Sequence, residues 1–557
     1  MTSDPSSSNR RDFLGSLGAA ALAGGGLVCA AEAAPAYAFA HGVASGDPLA
    51  TQVILWTRVT AQGDASPRVF WEVASDAGFT RVLRSGLVRT SASQDFTVKV
   101  DVTGLQPGTR YHYRFSCGGT RSPVGRTRTL PQGAVQQVRL AVFSCANYPA
   151  GYFHAYAEAA RMADIDAAVH LGDFIYEYDR AGYASEQAAA MGREVLPVHE
   201  CTVLADYRTR HALYRGDADL QALMASVPMI AVWDDHEIAN NTYVSGAANH
   251  TEGTEGSYAV RRDAAIRAYH EWLPTRVADP SDPRKIYRSF DFGQLLSLHM
   301  LETRVLARSK QLSLSTYVDE RGVDADALDA AVNDAGRKLL GDEQRGWLQA
   351  RLAASTATWQ VLGQQVLMAR MHLPAAIALG QISLGNMARL SAKAAATPDR
   401  LSAAERYVLG QPVIPDNLDA WDGYAAEREL VLAGARALDK NLVVLAGDTH
   451  NAWASDLEDA AGLPVGVEFA TPGVSSPGTE KSRLTDTPAE VARWFTENIP
   501  TLRYAETEHR GFMVVTATPQ RCEATWYFVD TVAARSYTLS TGDTWGTDVD
   551  ERRLRRI

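Results

Sequence analysis

Four apolar runs in this chain stop abruptly at clusters of metal-ligating and proton-transferring residue types: Phe143-Ser144-Cys145-Ala146-Asn147, Gly172-Asp173-Phe174-Ile175-Tyr176, Trp233-Asp234-Asp235-His236-Glu237 and Gly447-Asp448-Thr449-His450. Apolar runs without polar alternation belong to strands buried on both faces, as in sheets covered by helices. In such sheets ligands bind just beyond the carboxyl ends of the strands. The pattern predicts a layered α/β domain in which several strand ends converge on one site. Strands are expected at 138–144, 167–171, 229–233, 359–366 and 441–446, with helices at 152–162, 205–225 and 342–352.

The region before residue 131 has a different rhythm. Val53-Ile54-Leu55-Trp56, Val69-Phe70-Trp71-Glu72-Val73, Phe96-Thr97-Val98-Lys99-Val100 and Tyr111-His112-Tyr113-Arg114-Phe115 are short, largely alternating runs separated by turn signals such as Gly104-Leu105-Gln106-Pro107-Gly108. That spacing predicts a small antiparallel β-sandwich. With 557 residues the chain is long enough for both units. The Ala/Gly-rich stretch 374–416 exceeds ordinary loop length and is expected to be an insertion covering or shaping the site.

Composition narrows the function. A formal net charge of -11 with no long Lys/Arg run gives no footprint for nucleic acid. Five scattered cysteines form neither a disulfide framework nor a paired-cysteine zinc site. The first residues carry Arg10-Arg11 before Phe13-Leu14, a Gly/Ala-rich apolar stretch and Ala36-Tyr37-Ala38, the pattern of a bacterial twin-arginine (Tat) leader. It implies use of the Tat export machinery, a periplasmic or secreted destination and no stable membrane insertion after cleavage.

Taken together, the four motifs, Gly42-Val43-Ala44-Ser45-Gly46-Asp47-Pro48, Leu55-Trp56-Thr57-Arg58, Asp419-Ala420-Trp421-Asp422-Gly423-Tyr424 and Val467-Glu468-Phe469 resemble the PhoD-like branch of the calcineurin-like metallophosphoesterases. The resemblance runs in family order through nearly the whole chain. It implies a calcineurin-like metallophosphoesterase domain of mixed α+β and α/β character, two packed β-sheets flanked by helices, preceded by a fibronectin- or Ig-like sandwich. The divisions expected are 1–38 leader, 39–131 sandwich, 138–530 metallophosphatase domain and 531–557 C-terminal tail.

The resemblance also implies roles for single residues. Cys145 stands where the superfamily has a metal-binding aspartate. As a thiolate, with the phenolate of Tyr176, it favours Fe(III) over harder ions. Asp173 is the expected bridge between metals. Asp235 and Asp448 are oxygen ligands for Ca, one or two ions, with Asn240 or Asn241 as an added amide ligand. Asp448 replaces a superfamily histidine, leaving His450 for the iron. His236 is expected to contact phosphoryl oxygens or protonate the leaving group, and Arg304 to clamp phosphate with its guanidinium fork. Asp47 is read as a turn residue that could reach the calcium side, and the basic run Arg552-Arg553-Leu554-Arg555-Arg556 as a frayed terminus or the edge of a phosphate entrance.

The activity implied is an exported alkaline phosphatase using metal-activated hydroxide to release inorganic phosphate. A phosphodiesterase of the phospholipase D type, acting on lipids or teichoic-acid-like diesters, would use the same metals. An envelope binding protein with an inactive phosphatase domain would need broken motifs, and all four are furnished with ligands.

Overall fold

The apolar runs read from the sequence form the middle of two large sheets. The computed structural model describes residues 37–63, 65–320, 322–482 and 486–557. The leader lies outside the described residues except for Tyr37–Ala38, which pairs with Thr60–Ala61.

One sheet has ten strands, parallel at its centre, where Val138–Phe143, Ala167–His170 and Met229–Ala231 lie side by side. The other has seven, with a parallel core of Leu296–Met300, Trp359–Gly363, Asn441–Ala446 and Pro464–Ala470. The sheets face each other. Along Asn441–Ala446, Val443 and Leu445 join Leu140, Val142 and Val169 in the core between the sheets. Leu442, Val444 and Ala446 turn the other way, onto Leu348, Leu352 and Leu432 of the helices Gly341–Ala354 and Ala425–Ala437. Burial on both faces is why these strands carry no polar alternation, and each large apolar side chain so buried contributes about 1.5–3 kcal/mol.

The β-sandwich is present but is not a separate body. Its outer sheet comprises Gly125–Arg128, Arg110–Cys117, Arg68–Ala74 and Val82–Arg89, with Thr120–Arg121 alongside. Its inner strands, Val43–Gly46, Gln52–Arg58 and Thr97–Thr103, continue the ten-stranded sheet, because Gly46 pairs in parallel with Met229. Val43, Val53 and Leu55 face Val69, Val73 and Tyr113 in the sandwich, while Ala44 and Trp56 pack into the main core. At the junction only glycine fits. A Cβ on Gly46 would sit 2.5 Å from the Pro274 carbonyl oxygen and 2.6 Å from that of Met229.

Several expectations are revised. The helix read over 205–225 is two helices, Leu204–Arg215 and Ala218–Ser226, because the Asp217 side chain accepts from Asp219 N and Leu220 N and starts a new helix. Strands end one to three residues early, at Phe143, His170, Ala231 and Gly363, where the chain turns into the site. Residues 374–416 are largely helical, closed at the base by pairing of His372–Pro374 with Val413–Pro415. Ser383 and Gly385 of this excursion bond Asp486, just before the helix Pro488–Asn498.

The C-terminal residues are not a loose tail. Leu539–Asp548 and Arg555–Arg556 form the edge of the ten-stranded sheet. The basic run is spent on carboxylates, Arg553 on Glu458, Arg555 on Asp548 and Arg556 on Asp543. It lies away from the strand ends that carry the motifs, since Asp550 N donates to Asn441, the first residue of the strand leading to Asp448. Asp47 does not approach the motifs either. Both its carboxylate oxygens accept from Arg288, at 2.6 and 2.8 Å, and Oδ2 also accepts from Arg276 N. Among the described residues no helix is long and apolar enough to cross a membrane.

Candidate metal centre

Five of the expected site residues sit in left-handed backbone: Cys145 at φ 59°, Asp173 at 54°, Asn241 at 51°, Asp448 at 62° and His450 at 60°. Such conformations cost a non-glycine residue about 1 kcal/mol or more and persist only where the surroundings enforce them. For Cys145, Asp173, Asp448 and His450 a buried strand ends and the chain kinks within the next four residues, at the edge where the motifs meet. The kinks are held by backbone bonds between motifs. Cys145 N donates to Gly172 O and Ala146 N to Asp173 O. Glu237 accepts from Asp173 N, Phe174 N and Asp234 N, tying the second motif to the third.

Ligand atoms of Cys145, Asp173 and His450 lie within 4.8 Å of one another, and so do those of Asp173, Asp235 and His236. Asp173 belongs to both groups. Tyr176 joins the first group: its hydroxyl donates to Asp173 Oδ2 at 2.9 Å, lies 3.4 Å from His450 Nε2 and accepts from Ser476 Oγ at 2.7 Å. Asp448 is close enough that its charge helps raise the Cys145 thiol.

The electrostatics ask for a cation. Desolvation and the neighbouring carboxylates push Asp173 well above the usual range, Asp234 up to about 8 and Asp448 up to about 7. Burial, Asp173 and Asp448 push the Cys145 thiol up in the same way. Oδ1 of Asp173 and Oδ1 of Asp235 are buried acceptors with no hydrogen-bond partner among the described residues. An unsatisfied buried acceptor costs about 1–3 kcal/mol, more when charged, and a metal ion removes that cost. Thiol, phenol, imidazole and carboxylate on one side, carboxylates and imidazole on the other, are a donor set able to hold metal ions.

His236 is held by a residue the sequence reading did not weigh. Its Nδ1 lies 2.7 Å from Oε2 of Glu177, which is fully buried and also accepts from Asn240 N and Asn249 Nδ2. The ring stacks on Tyr176 at 4.2 Å, leaving Nε2 3.9 Å from Asp235 Oδ1. Burial alone would lower the imidazole, but Asp235, Glu177 and Asp173 outweigh it and hold it well above its ordinary value. The only local signal for Glu177 is its place directly after Tyr176.

Two expected ligands are placed differently. Asn241 meets Asp235 through its backbone N–H, 2.6 Å from Oδ2, and its side-chain amide makes no hydrogen bond to the cluster among the described residues. Arg304 is completely buried and its fork is taken by protein: Nε bonds Asp234 and Nη1 bonds Asp419 at 2.8 Å. Only Nη2 is left, 3.9 Å from Asp235 Oδ2. A two-pronged grip on phosphate is therefore not available. Asp419, from the motif at 419–424, also bonds Arg308. Glu302, beside Arg304, accepts from Arg304 N, Val305 N and Leu306 N and so shapes that turn. No residue of 374–416 hydrogen-bonds a member of the cluster among the described residues.

The sequence profile of the PhoD-like phosphatase family matches residues 140–526, and that of the PhoD-like phosphatase N-terminal domain matches 26–131. The chain is 34% identical over 548 residues to alkaline phosphatase D of Bacillus subtilis (strain 168), covering 94% of this chain and 82% of that one. A solved structure described as that of PhoD superposes with a TM-score of 0.76 at 31% identity, covering 94% of this chain and 92% of that one.

Proposed function

The chain belongs to the PhoD-like phosphatase family and is a hydrolase of phosphoric esters, and from that premise we propose an exported, metal-dependent alkaline phosphatase whose ions share Asp173. The observation that carries this reading is the pair of overlapping ligand groups meeting at Asp173, with buried, donorless oxygens on Asp173 and Asp235. Cys145, Tyr176, His450 and Asp173 suit Fe(III), while Asp173, Asp235 and Asp448 suit calcium. When bound, such ions supply hydroxide near neutral pH and offset charge on the phosphoryl oxygens.

The chain's own residues do the rest. Glu177 fixes His236 through Nδ1 and leaves Nε2 toward the cluster, placed to give a proton to the departing alcohol oxygen. Arg304 contributes fixed positive charge beside Asp234 and Asp235, because its ion pairs prevent it from swinging out. Export through the Tat route rests on Arg10-Arg11 and the segment that follows.

The test is metal analysis, visible spectroscopy and turnover of the purified chain on p-nitrophenyl phosphate and its bis ester. Phosphate release from the monoester by a coloured, iron- and calcium-containing protein is expected. A colourless, fully active preparation overturns the iron assignment. Preference for the bis ester moves the reading to the phospholipase D type.

A further inference from the structure

The N-terminal unit is charged opposite to the rest of the molecule. Residues 39–131 hold 11 Lys/Arg against 6 Asp/Glu, a balance of +5, whereas residues 132–557 balance at -15. Strand register shows where that positive charge lies. Directly opposed residues in a sheet share a face, and so do residues two apart along a strand. Opposite Arg110 and His112 stand Arg128 and Arg126. Arg114 stands opposite Glu72, and Arg121 opposite Ser116. At the far corner Arg68 stands opposite Arg89. All seven arginines therefore project from the outward face of the outer sheet, since the alternate residues Val69, Val73, Tyr111, Tyr113 and Phe115 fill the sandwich core.

Two of the seven are neutralised within the chain, Arg114 by Glu72 and Arg128 by Asp166. Arg68, Arg89, Arg110, Arg121 and Arg126 are exposed and form no ion pair among the described residues. Like charges set side by side on a sheet are destabilising, so the arrangement earns nothing for the fold. The cations run diagonally from the Arg128 corner to the Arg89 corner. At about 6.7 Å per two residues and about 4.8 Å per strand, that track is about 30 Å long. At its first corner Arg110, His112, Arg126 and Arg128 border a cavity of about 210 Å³. Asp166 and Pro228, on the same rim, precede the central strands, so the track lies at the opposite end of the sheet from the metal cluster.

We propose that this face is a docking surface for a flexible anionic polymer bearing phosphate groups, holding the enzyme on the polymer rather than feeding its active site. A diagonal line of cations matches a thread. A twisted sheet face is a saddle and meets a flat bilayer over only part of its area. Among the described residues Phe70 is the one large exposed aromatic side chain on the face, so it offers no series of rings for stacking nucleic-acid bases.

The experiment is fluorescence anisotropy of labelled long-chain inorganic polyphosphate with the full chain across a salt series. Arg68→Gln, Arg89→Gln, Arg121→Gln and Arg126→Gln combined should weaken binding at least tenfold at 0.1 M salt. The slope of log affinity against log salt should become shallower by about 3, as expected for four lost phosphate contacts. Turnover of p-nitrophenyl phosphate should not change. The matched variant Arg351→Gln, Arg389→Gln, Arg400→Gln and Arg493→Gln, which removes equal charge from the acidic unit, should keep its affinity. Absence of binding, or equal loss in the matched variant, overturns the proposal. So does binding to phosphatidylglycerol vesicles without binding to the polymer, which would assign the face to a membrane.

Discussion

Asp173 and Asp47 invite comparison. Both are buried aspartates that follow a strand, and both have positive φ, 54° and 42°. At Asp47 each carboxylate oxygen is taken by the buried Arg288 guanidinium. At Asp173 one oxygen accepts from Tyr176 and the other has no donor among the described residues, and the groups around it are mostly acidic. Burial, strain and position after a strand therefore do not by themselves mark a ligand. The distinguishing feature is an acceptor that the protein leaves unsatisfied amid like charge.

The contrast can be broken most sharply by removing one charge at each place. Asp173→Asn should lower kcat by about 1000-fold or more, because it disturbs both ion positions at once. Chelation should lower the Tm of the wild-type chain and leave that of the variant nearly unmoved, since an ion that no longer binds cannot stabilise. A smaller effect is expected where a residue acts through another. Glu177→Gln should reduce kcat by about 10–100-fold, the range for an outer partner of a site histidine, with metal content kept. If metal were lost in parallel with activity, Glu177 would be supporting the cluster rather than His236.

Asp47→Asn should leave kcat within about 3-fold while lowering stability by about 3–5 kcal/mol, because Arg288 would remain buried without its counter-charge. Denaturant unfolding beside steady-state kinetics checks this. A large loss of turnover with intact stability would place Asp47 in the catalytic machinery after all.

What could be read from the sequence follows the range of the interaction. Val138–Phe143 and Asn441–Ala446 were legible because burial on both faces erases polar alternation within a few residues. The strand-end placement of Cys145, Asp173, Asp235, Asp448 and His450 was legible because each lies within four residues of the end of such a run. That the Arg304 guanidinium is engaged by protein was not legible, because its partners Asp234 and Asp419 lie 70 and 115 residues away. The same holds for Glu177, whose hydrogen bond to His236 spans 59 residues. The C-terminal arginines looked frayed for the same reason. Ion pairs between distant segments leave no periodic trace in the chain. Gly216-Asp217 inside the expected long helix was a local signal that the apolar period masked.

The parallel pairing of Gly46 with Met229 has a consequence for how the molecule can be divided. The composition changes near residue 131, yet a cut there would strip the central strand Met229–Ala231 of its neighbour and bare a row of backbone donors and acceptors beside an apolar core. Such an open edge is a template for another chain. The phosphatase unit made without its N-terminal strands would be prone to self-association, and the N-terminal unit alone would expose Ala44 and Trp56. The two share one sheet, with a seam in the sequence and none in the strand order.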